Sequence, residues 1–555
     1  MSSFRLSRAI LAAGAVIVGV ILFLRPFGSL TALAVTLGIA LAIIGVGEIM
    51  RGREHSSPTS GAAGCLILGA AMVTAAWPGL PVTGVGAAVA VGLGVYGLSR
   101  LTDAVRKTSA NRVADALLGI AGLSLAVVAA VAPGLTLFTV ALVLGVALVW
   151  SGLAGLYYSF GRRAGIVRPQ APRVVGGVVA VVVTVPLAVL TGQAWENVPT
   201  PDDFYYSAAD GPHGSLLKAE PFNGGLPDGT SGWRILYTTQ NEAGRPAVAS
   251  GIVVGAVEQP TSPSPVVAWA HATTGVARGC APSLTSNPFA AERLPTLASA
   301  VDAGWTVVAT DYLGLGTQGP HPYLIGHSEA RSVLDAVRAA RSIDTLTLAD
   351  KTVVWGYSQG GHAALWTDQI AAAYAPDVPL AGVAAAAPIA DLRALGQTLA
   401  ASTGNDIYGA YLLSAYEQTY DDVDADEYLR LQARLPMQQL AQSCATAEPN
   451  LGRSLTRALA VGAAPYVDSL DRGALGRRLS ENTPIGATTT PLLILHGDDD
   501  QLIPSAVQAG YVDRRRALGA DLAYRTFPRR DHDTLVAADS PATIELMAWT
   551  HGLLD

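Results

Sequence analysis

At 555 residues the chain is too long for a single core, and its composition changes sharply near residue 195. Up to Trp195 there are 13 Lys/Arg against 4 Asp/Glu, and beyond it 23 against 39, so a basic, apolar part of charge +9 precedes an acidic part of charge −16. The acidic balance argues against nucleic acid as the ligand of the second part, and three cysteines without a Cys/His cluster give no metal or cofactor to expect.

Seven apolar stretches come first: about Ala9 to Leu24, Leu30 to Met50, Ala62 to Trp77, Leu80 to Leu98, Val113 to Val131, Leu135 to Tyr158 and Val174 to Leu190. Each approaches or meets the roughly 20 residues a helix needs to cross a hydrocarbon core. Similar spans follow the first one, so it reads as an anchor and not as a cleaved signal. Basic residues fall on alternate sides of successive spans: Arg5 and Arg8; Arg51 and Arg53; Arg100, Arg106, Lys107 and Arg112; Arg162, Arg163, Arg168 and Arg173. The turns between, at Pro26, Pro78 and Pro133, hold only Arg25. By the positive-inside rule the N-terminus is cytoplasmic, and seven crossings of a plasma membrane put everything after about Gly192 outside.

An internal repeat underlies residues 1–192. With Pro26, Pro78 and Pro133 aligned, Gly45, Gly97 and Gly152 coincide, as do Gly38, Ala90 and Gly145. Small residues spaced on one helix face let neighbouring backbones approach, which predicts three helical hairpins. Glu48, Asp103 and Asp115 sit near the expected cytoplasmic ends and read as interfacial residues of a packing bundle, not as an ion path. Paired spans joined by WPG or APG turns resemble the HdeD-like (DUF308) membrane proteins over roughly residues 8 to 160, which implies a six-span bundle with the seventh span as the link to the outer part.

From Trp233 the chain alternates strand-like and helix-like segments, as a mostly parallel α/β sheet requires. Expected strands are Arg234 to Thr238, Ala249 to Gly255, Val266 to Ala270, Thr306 to Ala309, Thr352 to Trp355, Leu380 to Ala386 and Leu492 to Leu495, with helices such as Ser328 to Arg341 between them. TVVWGYSQGG is the most telling stretch. An apolar strand stops at Ser358, flanked by Gly356 and Gly360, and a helix-like HAALWTDQIAAAY follows from His362. This is the pattern of a nucleophile elbow, and with the strand order it predicts an α/β-hydrolase fold over residues 193–555.

A nucleophilic serine needs a base and an acid, which in this fold follow it in the order acid, then His. His532 lies in the polar loop RRDHDT after strand-like LAYRTF, whereas His551 sits in a closing helical run and suits packing. The acid should follow Leu495, in HGDDDQLIP. Asp500 stands three residues after Gly497 and shortly before Ile503-Pro504, with Asp498 or Asp499 as alternatives and Asp391 a weaker one. Two backbone donors should stabilise the oxyanion: the amide of Gln359 and that of Thr273 or Thr274 in VVAWAHATTG, where His271 orients the turn. The acidic run from Asp421 lacks the glycine and spacing of a calcium loop and reads as a solvated helix start.

HATTGVARGCAPS, DYLGLGTQGPHPYLIGHSEARSVLDAVRAAR and GYSQGGHAALW together resemble the secretory lipase family typified by Candida antarctica lipase A, over roughly residues 200 to 550. The resemblance implies a triacylglycerol lipase or carboxylesterase acting on acyl ester or lipid, with a helical cap at about residues 391–485, and a disulfide between Cys280 and Cys444. Ala272 and the long membrane extension depart from the fungal pattern, the first leaving the second oxyanion donor open. Two other readings remain: a serine peptidase or amidase on the same triad, and a membrane stress or transport module carrying a hydrolase-like binding domain.

Overall fold

The computed structural model describes residues 3–24, 30–55, 58–77, 82–106, 112–131, 133–160, 178, 181–182, 184–186, 198–258, 262–289, 294, 296–401, 406–445 and 465–554. Contacts divide the chain into two units, Met1–Asn197 with Leu429–Leu440 and Glu448–Pro465, and Val198–Tyr428 with Ala441–Ala447 and Tyr466–Asp555.

The first unit contains α1 (Ser3–Leu24), α2 (Leu30–His55), α3 (Pro58–Ala76), α4 (Val82–Arg106), α5 (Arg112–Val131) and α6 (Pro133–Phe160). Five of these, α2 to α6, are long and apolar enough to cross a membrane, and α1 carries a shorter apolar stretch, Ala9–Leu24. The expected span Val174 to Leu190 falls mostly outside the described residues.

The repeat glycines mark where these helices meet. A β-carbon on Gly45 would lie 3.0 Å from the Gly64 carbonyl, on Gly97 2.8 Å from that of Gly119, and on Gly152 2.6 Å from that of Ala12. The same repeat position therefore brings α2 against α3, α4 against α5 and α6 against α1, and a side chain there would push the backbones apart.

Polar groups follow the repeat as well. Arg51 contacts Asp103 at 2.8 Å and Asp115 at 2.9 Å; Arg100 contacts Asp115 at 3.1 Å and also Glu48; Ser60 donates to Asp103 at 3.1 Å. All three carboxylates are buried. These groups cross-link α2, α3, α4 and α5 into one ion network.

The second unit is built on one nine-stranded sheet in the order β1-β2-β3-β5-β4-β6-β7-β8-β9. The strands are β1 (Leu216–Phe222), β2 (Thr230–Gln240), β3 (Pro246–Ala256), β4 (Ser264–Ala270), β5 (Thr306–Leu313), β6 (Leu348–Tyr357), β7 (Leu380–Ala386), β8 (Leu492–Gly497) and β9 (Leu522–Phe527). The pairs β1·β2, β2·β3 and β3·β5 are antiparallel, and the rest of the sheet is parallel. All seven expected strands lie inside observed ones. The half-exposed β1, with Lys218, Glu220 and Pro221, was not anticipated.

Helices flanking the sheet are α7 (Leu297–Asp302), α8 (Gly326–Ala340), α9 (Gln359–Tyr374), α14 (Ser505–Ala517) and α15 (Pro541–Leu554); between β7 and β8 come α10 (Leu392–Ala401), α11 (Asp406–Thr419) and α13 (Gly473–Glu481), together with α12 (Leu431–Leu440), which belongs to the first unit. Central strands are buried on both faces, which is why they read as unbroken apolar runs. Val266, Ala268, Ala270 and Val354 face the layer of α8, α9 and α14, while Val267, Trp269, Val353 and Trp355 face α7 and α15. The parallel strands end together, so the loops after β4, β6, β8 and β9 gather along one edge, where a parallel sheet presents its site.

Candidate active site

The turn from β6 into α9 is forced by its glycines. Ser358 sits at φ 57°, ψ −115°, a strained conformation for a residue with a side chain. A β-carbon on Gly356 would lie 2.0 Å from the Gly360 carbonyl oxygen, and one on Gly360 1.8 Å from that of Ala270, so only glycine fits at either place. Backbone bonds fix the strained residue: its N–H donates to Ala386 at 3.0 Å, and its carbonyl accepts from Ile389 and His362, both at 3.2 Å. Tyr312, Leu324, Ala387 and Arg529 also take positive φ. Tyr312 is near the end of β5, and the other three lie on loops after β5, β7 and β9.

Three side chains converge here from three strand ends. His532 Nε2 is 2.8 Å from Ser358 Oγ, and its Nδ1 is 2.7 Å from Asp500 Oδ2. The other oxygen of Asp500 accepts from the backbone N–H of Leu502 at 2.9 Å and Ile503 at 2.8 Å. Burial pushes the Asp500 carboxyl up, but the hydrogen bond and charge of His532 and the Ile503 N–H outweigh it, and the net displacement is below the ordinary carboxylate range. The His532 loop is held by Asp531, whose carboxylate accepts from Thr534 N at 2.8 Å and Oγ1 at 2.6 Å, and by Tyr357, whose hydroxyl reaches His532 O at 3.0 Å.

The other candidates are placed apart from these. Asp498 and Asp499 are exposed at the turn after β8. Asp391 pairs with Arg514 at 2.6 Å and caps Ala394 N, and His551 packs on Trp305 with ring centroids 4.7 Å apart. Asp424 caps the turn of the acidic run and Asp422 pairs with Arg477 and Arg478; among the described residues no group of acids, histidines or cysteines is arranged to hold a metal.

Gln359 is the first residue of α9, so its N–H lacks the acceptor four residues back that later helical amides find. Thr273 is half-buried, with its hydroxyl 3.0 Å from that of Tyr323, and the Thr274 carbonyl accepts from Ala445 N at 2.8 Å. Cys280 and Cys444 form a disulfide with Cα atoms 5.4 Å apart.

A buried network beneath the elbow was missed from sequence. Glu329 on α8 accepts from Leu324 N at 3.0 Å, Gln359 Nε2 at 2.7 Å and His362 Nδ1 at 2.7 Å. His362 Nε2 donates to Asn482 O at 2.8 Å, and the same carbonyl accepts from Trp366. His321 donates from Nδ1 to Leu313 O at 2.9 Å, which leaves its Nε2 as the acceptor facing Gln359 at 3.1 Å. The signal available was an acidic residue on the otherwise apolar face of a helix, Glu329 amid alanine and valine, with a histidine on the helix after the nucleophile.

Comparison with known proteins agrees with this geometry. The secretory lipase family model matches residues 289–551, and the DUF308 short repeat of unknown function matches 10–73 and 117–187. The chain is 26% identical to a probable inactive lipase of Mycobacterium tuberculosis, over 62% of this chain and 81% of that protein. It is 22% identical to lipase A of Moesziomyces aphidis, over 62% and 80%. Among solved structures, the closed state of Candida antarctica lipase A superposes with a TM-score of 0.51 at 18% identity, covering 60% of this chain and 82% of that one, a likeness of fold. The C-terminal part of this chain therefore has an α/β-hydrolase fold and matches the secretory lipase family model over residues 289–551, and the N-terminal helical part matches the DUF308 repeat.

Proposed function

We propose that the protein is a membrane-anchored serine hydrolase that cleaves carboxylic esters, a lipase or carboxylesterase acting outside the cytoplasm. The observation that carries the reading is the unbroken chain of hydrogen bonds from Asp500 through His532 to Ser358 on a strained elbow. Ser358 Oγ attacks the ester carbonyl while His532 Nε2 takes its proton, and the Asp500 carboxylate stabilises the imidazolium. Collapse of the tetrahedral intermediate returns that proton to the leaving alkoxide, and water then hydrolyses the acyl-enzyme through the same base. The oxyanion is met by the amide of Gln359, at the positive end of α9, and by that of Thr273, with Thr274 as the alternative. Helices α10, α11 and α13, between β7 and β8, serve as the cap over the acyl group.

Anchoring rests on α1 to α6 and the DUF308 match, with a seventh span over Val174 to Leu190 completing the crossing. Loop charges then set the N-terminus in the cytoplasm and the hydrolase in the envelope or beyond, where apolar acyl esters and lipids are the substrates.

The description of the mycobacterial relative as a probable inactive lipase favours one competing reading, a hydrolase-like domain that only binds. Full-length protein in detergent micelles, treated with a fluorophosphonate probe and assayed on a p-nitrophenyl ester series, separates the two. Wild type should label and turn over, Ser358→Ala should do neither, and a folded wild type that does not label removes the ester-hydrolase reading.

A further inference from the structure

The loop after β4 is held in two different ways along its length. Its first residues are pinned by the core: the His271 carbonyl accepts from the Tyr312 hydroxyl at 3.1 Å, and the His271 ring contacts Ala272 O at 2.6 Å. Its last residues, Thr273 to Gly275, are pinned by what arrives from the chain between β7 and β8. Tyr323, hydrogen-bonded to Thr273, meets Tyr411 of α11 edge-on with centroids 6.0 Å apart, and the Tyr411 hydroxyl donates to Ser443 O at 2.6 Å. The next residue, Cys444, is bonded to Cys280, and the one after it, Ala445, donates to Thr274 O at 2.8 Å. Gly275 takes φ +139° between them, and a β-carbon there would lie 2.6 Å from Cys280 Sγ and 3.2 Å from Cys444 Cα. The disulfide is thus packed directly against the loop proposed to supply the second oxyanion amide.

We propose that Ser443–Ala445 is a positioning strut for the oxyanion loop, locked by the Cys280–Cys444 disulfide, so that the redox state of this bond sets the rate of acyl transfer. The inference rests on the reading of Ser358 as nucleophile. A dithiol breaks the S–S bond by giving two electrons and two protons, leaving two thiols and its own cyclic disulfide. Nothing in that step touches Ser358, His532 or Asp500, which hang from β6, β8 and β9. The consequence is a donor out of line by about an ångström, enough for roughly a hundredfold loss of rate. A disulfide that merely stiffened a cap would alter entry of substrate instead, and so KM.

The test uses full-length protein in detergent micelles with p-nitrophenyl acetate, too small to depend on an acyl pocket. Reduction with dithiothreitol, with thiol tagging to verify that Cys280 and Cys444 have opened, should lower kcat about a hundredfold, leave KM within threefold and the pH profile unmoved, and be undone by reoxidation. Cys444→Ser should match the reduced enzyme. Ala445→Pro removes the N–H donor to Thr274 O, at the cost of fixing φ at residue 445 and restricting Cys444, and should lower kcat with the disulfide intact as verified by thiol tagging, which keeps the test decisive if the serine variant fails to fold. Active oxidised enzyme whose kcat changes less than threefold on reduction, or whose whole loss lies in KM, overturns this inference alone. Oxidised wild type without turnover or fluorophosphonate labelling overturns the ester-hydrolase reading and this inference with it.

Discussion

Replacing Asp500 by Asn tests the proposed base with little change of shape. Asp500 Oδ1 is occupied by the N–H groups of Leu502 and Ile503, and Oδ2 faces His532 Nδ1 at 2.7 Å. An Asn that keeps its oxygen on those two N–H donors must point its amide NH2 at Nδ1. The alternative flip would aim NH2 at two buried N–H groups and leave them unsatisfied, at a cost of about 1–3 kcal/mol each. His532 is then driven to the tautomer with its proton on Nε2, 2.8 Å from Ser358 Oγ, where it donates to the serine and cannot accept from it. In other serine hydrolases the same exchange costs about 10⁴ in kcat, which at about 1.36 kcal/mol per decade is roughly 5.4 kcal/mol of transition-state stabilisation. Steady-state turnover of p-nitrophenyl butyrate by full-length protein in micelles, with a melting curve to verify the fold, measures it. An Asp500→Asn enzyme retaining more than about a tenth of wild-type kcat would refute the assignment of Asp500.

Three further outcomes follow from the same structure. Burial pushes His321 and His496 below the usual imidazole value of 6.5, so the unfolded chain binds more protons than the folded one as pH drops through 6.5. Each histidine should therefore withdraw up to about 1.4 kcal/mol of stability per pH unit from about pH 6.5 downward, while Asp311, Asp368 and Glu417, raised by burial, act in the opposite sense; a His496→Asn variant that loses as much melting temperature between pH 7 and pH 5 as wild type would contradict this. Glu329→Ala leaves three buried donors without their acceptor and should cost about 3–5 kcal/mol, whereas Glu329→Gln keeps an oxygen for Leu324 N and Gln359 Nε2 and should cost clearly less in thermal melts. Asp115→Ala removes the acceptor shared by Arg51 and Arg100 and should lower the melting temperature in detergent, an unchanged value showing that the network does not bind the bundle together.

How much of this was legible in the chain depended on whether the signal was local. Strands β2 to β8 announce themselves because burial on both faces demands runs such as TVVW and PLLIL. The edge strand LLKAEPF is half-exposed and carries a proline, so neither an apolar run nor a clean alternation marks it. The elbow is legible because two glycines and a serine do a steric task that few sequences can do. Asp500 and His532 are legible as residue types after particular strands, but the distances between them come from sheet register. Glu329 and His362 lie on separate helices, 33 residues apart, and nothing in either segment names the other. Ala445 meets the loop after β4, and Tyr411 reaches it through Tyr323, only because of the path of the chain between β7 and β8.

The N-terminal part holds its information in position more than in composition. Glu48 and Arg100 both stand 22 residues after the repeat prolines Pro26 and Pro78, and Arg51 and Asp103 both stand 25 after. Each pair is in contact across α2 and α4 with opposite charges. Ser60 and Asp115 likewise stand 18 residues before Pro78 and Pro133, and both join the same network. Two copies of one repeat carrying identical charges at these positions would repel where they meet; reversal of sign between copies turns the repeated contact into attraction. Removing one partner from so buried a network leaves an uncompensated charge, which penalises any packing of the helices other than this one. The glycines allow the helices to approach in several registers, and the charge reversal selects among them, so apolar spans that look interchangeable in composition carry a specific order of assembly.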